Sequence, residues 1–265
     1  MKLNRREGTF LTAIVLAWAL TPLLLHVLLP RYEDHTGTVM VIGLLVGGIA
    51  ILRLLMGVAR RLVLECSDRL ATLGFQVVDL GSDQLPGWIP AEHRNRPRLA
   101  FDGFRSAGNP SSRPGYERTQ GGLRTALFGY RCGEEERREG FTVMRLESLH
   151  WSWPEFSCAV GSHWTGIHPI PGWDRMQFND DPAFSKAAWL QAPRPDRIRP
   201  LFTPELRRLV LDHPRFRVFA SGPVLMLYSD SFRLIPGEAE AFLEQAGQLA
   251  ARWTQALERV QHRTG

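Results

Sequence analysis

Two apolar runs near the N-terminus dominate the hydrophobic pattern of the chain. The first extends from Phe10 to Leu29 without an acid, Lys or Arg, and the second extends from Val39 to Val58 with Arg53 as its one charge. At ~1.5 Å per residue each run can cross a hydrocarbon core of ~30 Å, and only a helix satisfies its own backbone hydrogen bonds in lipid. The pattern predicts a two-helix transmembrane hairpin within residues 1–59, with its turn at Arg31–Thr38.

The flanks of the two runs are more basic than the turn between them. The flanking residues are Lys2, Arg5, Arg6, Arg60 and Arg61, against Arg31 in the turn. Because basic residues concentrate on the cytoplasmic side, we predict both termini in the cytoplasm and an integral protein of the bacterial inner (plasma) membrane. A cleaved signal peptide is the alternative for the first run, which its length and the second run after it disfavour.

Small and ionisable residues also occur inside the runs. Gly43 and Gly47 form a GxxxG step, which lets helices approach closely in lipid. The step predicts packing of the hairpin on itself, with self-association or a membrane complex as alternatives. His26 and Arg53 lie toward opposite ends of the hairpin, so we interpret Arg53 as reaching the headgroups rather than as part of a proton relay.

Helical spacing continues beyond the second run and predicts a juxtamembrane helix over residues 60–74. Gly74 is the expected left-handed cap at its end. The helix either lies on the lipid surface or docks on the following domain, and a strand that starts directly after it favours docking. Its apolar stripe consists of Leu62, Cys66, Leu70 and Leu73.

Residues 75–265 predict an α+β cytosolic domain with a mainly antiparallel sheet and packed helices. The predicted strands are Phe75–Asp79, Leu123–Arg131, Phe141–Leu149, Phe156–Val160 and Ala183–Leu190, followed by a hairpin over Phe216–Asp230 with Gly222 in its turn. Thr203 and Pro204 are expected at the N-cap and first position of a helix that ends before Pro214. A long amphipathic helix, Gly237–Gln261, closes the domain, and its stripe is interpreted as core: Phe242, Ala246, Leu249, Trp253, Leu257 and Val260.

A long segment rich in Pro, Gly, Ser and Arg is expected to be a flexible loop at about residues 92–122. The stretch from His93 to Arg124 contains Arg94, Arg96, Arg98, Arg105, Arg113, Arg118 and Arg124, with two acids, Asp102 and Glu117. Its excess of five positive charges equals the net charge of the whole chain, +5. The loop therefore either contacts anionic headgroups of the inner leaflet or is solvated.

One group of residues allows a chemical hypothesis: Glu155, Cys158, His163 and His168. Zinc uses Cys and His ligands, and a thiol beside a His base can act as a nucleophile. No CxxC pair accompanies them, and Cys158 lies in an expected buried strand, so we interpret it as a structural cysteine. We assign no catalytic, cofactor-binding or metal-binding residue.

Composition adds few constraints on function. Three widely spaced cysteines fit a reducing compartment, and no dinucleotide-binding, P-loop, metalloprotease, hydrolase or protein-kinase signature occurs. Nucleic acid is not an expected partner, because no RNA- or DNA-binding motif accompanies the arginines.

The order of segments resembles a loose group of bacterial membrane-anchored proteins without an assigned activity. The resemblance rests on the Leu70–Phe75 helix end, the paired strands at Leu127–Leu146, and the late block Arg199–Val210 followed by Phe216–Asp230. It implies the same architecture and no mechanism. The resulting hypothesis is a non-catalytic binding or scaffolding module at the cytoplasmic face; the alternatives are a membrane-bound enzyme that uses the Cys158/His163 region and a subunit of a membrane complex.

Overall fold

A computed structural model describes residues 33–79, 114–132, 139–161, 170 and 172–264. The chain divides into two compact units, residues 1–62 and 63–265. The helices in the described residues are α1 (Glu33–Thr72), α2 (Pro182–Ala187), α3 (Pro195–Ile198), α4 (Pro204–Asp212) and α5 (Glu238–Thr264). The strands there are β1 (Gln76–Asp79), β2 (Pro114–Gln120), β3 (Leu123–Cys132), β4 (Glu139–Glu147), β5 (Trp153–Val160), β6 (Asp174–Arg175), β7 (Ala188–Ala192), β8 (Arg217–Gly222) and β9 (Val224–Ser229).

The second apolar run lies in α1, which begins earlier than the sequence predicts. Residues Glu33–Thr38, expected in a turn, are helical. Among the described residues, no helix has a stretch long and apolar enough to cross a membrane. The first run lies outside the described residues, so the hairpin stays a prediction.

Helix α1 ends where the sequence predicts, at a left-handed glycine. Gly74 has φ +81°, Phe75 N–H donates to Leu70 O at 3.0 Å, and Gly74 N–H donates to Ala71 O at 2.9 Å. These two bonds form a Schellman motif, which satisfies carbonyls at the helix end. Cys66 and Leu70 are buried in the domain core, whereas Leu73 is exposed. The end of α1 is thus docked on the domain, with a shorter stripe than predicted.

All nine strands in the described part of the chain belong to one antiparallel sheet. Their order is β1-β2-β3-β4-β9-β8-β5-β7-β6. The order departs from the chain order because β5 pairs with β7 on one side and β8 on the other. The predicted α+β class with a large antiparallel sheet and a long C-terminal helix is therefore confirmed.

Two hydrophobic clusters occupy opposite sides of the central strands. Alternate residues of a strand point to opposite faces, so Leu127 joins one cluster and its neighbour Phe128 the other. The larger cluster includes the predicted stripe of α5, in which Trp253 is fully buried and lies 5.3 Å from the ring centroids of both Phe156 and Phe202. Only Val260 of that stripe is half-buried rather than buried.

Two local predictions are wrong. Residues 114–120, expected within a flexible loop, form β2, which joins β3 through Gly121 (φ +57°) and Gly122 (φ +78°). Positive φ at both central positions defines the tight hairpin turn that Gly-Gly favours, so the Gly121-Gly122 pair is the local signal for this hairpin.

The second error concerns Ala183–Leu190, predicted as a strand. Residues 182–187 form α2, and the strand β7 begins only at Ala188. Asp181 Oδ1 accepts a hydrogen bond from Phe184 N–H at 2.9 Å, and Pro182 occupies the first turn. An N-cap acid followed by Pro is a helix start, and this local signal outweighs the strand propensity that follows.

Candidate functional site

The structure does not bring the predicted Cys/His group together within the residues it describes. Cys158 lies in the middle of β5, opposite Leu190 of β7 and Val218 of β8, and it is buried. Glu155 on the same strand is exposed. His163 and His168 lie outside the described residues. Glu155 and Cys158 therefore do not converge on one surface.

Burial also sets the chemistry of the two described thiols. Burial raises the pKa of Cys158, and burial with the nearby Glu240 carboxylate raises the pKa of Cys66 to about 11. Both are free cysteines that stay protonated at neutral pH, whereas a nucleophile or metal ligand must be a thiolate. The described residues contain no cluster of three or more His, Cys, Asp or Glu side chains that could hold a metal ion.

Two arginines of the Arg-rich stretch from His93 to Arg124 are held by contacts within the domain. Arg124 donates two hydrogen bonds to the Glu117 carboxylate, at 2.7 and 2.8 Å. Arg118 donates to Leu73 O at 3.1 Å, and its guanidinium lies 4.7 Å from the ring centroid of Phe75. The other five arginines of that segment lie outside the described residues, so their expected contact with headgroups stays a prediction.

A charge ladder crosses one end of the sheet on β2, β3 and β4. Arg124 bridges Glu117 and Glu147, with its Nη1 3.7 Å from Glu147 Oε2, and Arg145 donates to Glu147 at 2.7 Å. Arg145 is buried, and burial lowers the pKa of its guanidinium while the Glu147 hydrogen bond opposes that effect. Opposite charges on neighbouring strands favour one register, which gives the ladder a structural role.

A second buried arginine fixes α4 to the loop before α2. Arg207 makes a bidentate contact with Asp180, at 3.0 and 2.7 Å, and its Nε lies 3.5 Å from Asp181 Oδ2. Its guanidinium also lies 4.6 Å from the ring centroid of Phe178. The sequence offered no signal for this cluster, because the two aspartates and the arginine are distant along the chain.

Five of the nine large apolar residues that are exposed in the described chain lie in the first unit. Between Val46 and Val58, α1 has one charged side chain, Arg53. Single exposed apolar residues are common, but a contiguous set marks an interaction surface. The exposed large residues here are Val46, Ile49, Leu52, Leu55 and Met56.

The two glycines predicted to pack lie in this helix. Gly47 is half-buried, while Gly48 is exposed and a Cβ added there would meet nothing within 4 Å. Gly43 is helical, and His26 lies outside the described residues. No protein-family model, curated protein or solved structure matches this chain.

Proposed function

We propose that this chain is a membrane-anchored, non-catalytic binding module whose α+β domain lies at the cytoplasmic face of the inner membrane. The observation that carries the proposal is the exposed apolar surface of α1 between Val46 and Met56. Water does not stabilise such a surface, because exposed apolar area costs ~25 cal/mol per Å² relative to burial. The bilayer is the environment that suits it.

The flanking charges support the orientation. Arg60 and Arg61 are exposed directly after the apolar part of α1, where arginines gain ~1 kcal/mol each near the anionic inner leaflet. Lys2, Arg5 and Arg6 repeat that signal before the first run. In this proposal the hairpin anchors the chain and the domain binds a protein partner or the leaflet itself.

The non-catalytic part of the proposal is supported by the state of Cys158. An enzyme that used this thiol would need it exposed and ionised, and it is neither. Two of the described arginines likewise have structural partners: Arg207 is paired with Asp180 and Arg124 with Glu117.

Alkaline carbonate extraction of membranes from cells that make the full chain tests the anchor. The unmodified protein is expected in the pellet. To make α1 the sole anchor, both variants are built on a chain whose first run carries Leu16→Arg/Leu20→Arg. On that chain Leu52→Arg/Leu55→Arg is expected to move the protein to the supernatant, because each charge in a bilayer interior costs at least ~2.5–3.5 kcal/mol. The matched control is Leu64→Arg/Leu73→Arg on the same helix, since Leu52 and Leu64 are 58% and 55% exposed and Leu55 and Leu73 are 45% and 44% exposed.

The control pair is expected to stay in the pellet. Extraction of the unmodified chain, or equal behaviour of both double variants, contradicts the proposal.

The orientation is tested separately with a reporter fused after Gly265 that fluoresces only in the cytoplasm. A dark reporter on a correctly sized, membrane-bound fusion would show that the termini lie outside.

A further inference from the structure

The apolar part of α1 has two faces that differ in burial. At ~100° per residue, Ile51, Leu54 and Val58 fall within ~60° of one another, and all three are half-buried. Ile49, Leu52 and Met56 also fall within ~60° of one another, on the opposite side of the helix. These three are exposed, at 51%, 58% and 63%. The helix is thus apolar all round but shielded on one side.

The half-buried face also contains a glycine. Gly47 is half-buried and falls between Ile51 and Leu54 around the helix. The opposite face carries large side chains at Ile49, Leu52 and Met56. Helices that associate within a bilayer use small residues to bring their backbones together, whereas lipid-facing positions tolerate large ones.

We propose that Ile49, Leu52 and Met56 contact lipid acyl chains, while the face of Ile51, Leu54 and Val58 packs against protein. This inference rests on the proposed membrane anchoring and assigns the partner of each face. A second copy of the chain is a poorer occupant of the face of Ile49, Leu52 and Met56, because these three residues are large, whereas Gly47 on the other face allows a close helix approach. Arg53 lies toward the exposed face, where its long side chain can reach the headgroups.

Two matched pairs of positions allow a direct test. Ile49 is compared with Ile51, and Leu52 with Leu54, so that residue type and depth are nearly constant within a pair. Each is replaced singly by cysteine in the full chain with Cys132→Ser, labelled with an environment-sensitive fluorophore, and reconstituted into phosphatidylcholine–phosphatidylglycerol vesicles. Cys66 and Cys158 are buried protonated thiols and are expected to resist labelling, which the unsubstituted Cys132→Ser chain checks.

Nitroxide groups on the acyl chains should quench labels at 49 and 52 roughly twofold or more relative to labels at 51 and 54, since a helix ~10 Å across separates the two faces. Equal quenching within each pair, or stronger quenching at 51 and 54, overturns the inference. Where a half-buried position does not tolerate the label, Met56 and Val58 provide a third pair.

Two further results separate the inference from the anchoring proposal. Quenching at 49 and 52 by aqueous iodide, together with carbonate extraction of the unmodified chain, rejects the anchor itself. Loss of lipid quenching at 49 and 52 as the protein-to-lipid ratio rises, with crosslinking between labelled copies, shows that a second copy covers this face. That second result overturns the lipid assignment while the anchoring proposal stands.

Discussion

Helix α5 and the part of α1 between Val46 and Val58 both have large apolar residues at helical spacing. The two helices differ in the residues on the face opposite that stripe. In α5, Phe242 and Trp253 are fully buried, and exposed polar residues such as Glu244 and Arg252 cover the other face. In α1 the side opposite Ile51 and Leu54 is also apolar and exposed. A helix with one polar face can be buried against a domain in water, whereas a helix that is apolar all round is typical of the core of a large protein or of a membrane span.

The same difference in the distribution of polar and apolar residues occurs within α1 itself. From residue 63 onward it belongs to the second unit, where Cys66 and Leu70 are buried among core residues and Glu65 and Arg69 form an ion pair on the surface, at 2.7 Å. Arg69 also reaches Glu240 in the first turn of α5, at 3.3 Å. This part of α1 resembles α5 in its distribution of polar and apolar residues.

The largest expected effect is in α5. Trp253→Ala should lower the free energy of unfolding of the domain by ~3–5 kcal/mol, because the residue is fully buried against Phe156 and Phe202. Denaturant unfolding of the detergent-solubilised chain, followed by circular dichroism, measures the change. The neighbouring Arg252→Ala, at an exposed position, should change stability by less than ~0.5 kcal/mol. Similar losses in the two variants would mean that the stripe of α5 is not the core.

The next effect tests whether the end of α1 belongs to the core. Leu70→Ala should cost ~2–5 kcal/mol in the same unfolding measurement, since Leu70 is buried and packs in the main cluster. Leu73→Ala, three residues later and exposed, is the control and should cost far less. A small loss for Leu70→Ala would show that this end of α1 is not docked in solution.

A smaller effect is expected where α1 is apolar all round. Gly47→Ile should weaken helix packing on the half-buried face by ~1–3 kcal/mol, because an added side chain overpacks a close approach. Gly48→Ile adds the same atoms into open space and should be tolerated. The two variants are compared by their migration on size-exclusion chromatography in mild detergent and by the fraction of detergent-extracted protein that stays soluble on heating. Equal tolerance of both substitutions argues against a packing role for the Gly43/Gly47 step.

The smallest effect concerns α4, which packs against α5. The hydrogen bond from Arg207 lowers the pKa of the Asp180 carboxyl. A carboxyl whose pKa is lower in the folded state stabilises the fold above its unfolded pKa of ~3.9, and the contribution is lost as pH falls below that value. Asp180→Asn should therefore be less stable than the unmodified chain at neutral pH, and the difference should shrink toward pH 3. Because Asp180 is solvent-exposed, screening keeps the effect small. A difference that stays constant down to pH 3 would assign the loss to packing instead.

The sequence predicted the elements whose signals are local. Thr203 Oγ1 accepts from Leu206 N–H at 3.4 Å as the expected N-cap of α4, and Gly222 (φ +54°) forms the turn of the β8–β9 hairpin. Gly74 ends α1 as expected, and the buried stripe of α5 follows its periodicity. Each of these depends on residues only a few positions apart, so backbone preference and periodicity were sufficient.

Only the tertiary structure decided which distant segments meet. Cys158 lies on β5 between β7 and β8 and is buried in the main hydrophobic cluster, and the partnership of Arg207 with Asp180 joins residues 27 positions apart. Strand pairing and the burial of charge depend on contacts between segments that are far apart in the sequence. The hydrophobic period within each segment does not indicate which other segment it contacts. Burial is therefore a property of the assembled sheet rather than of any stretch of sequence, and it determined the protonated state of Cys158.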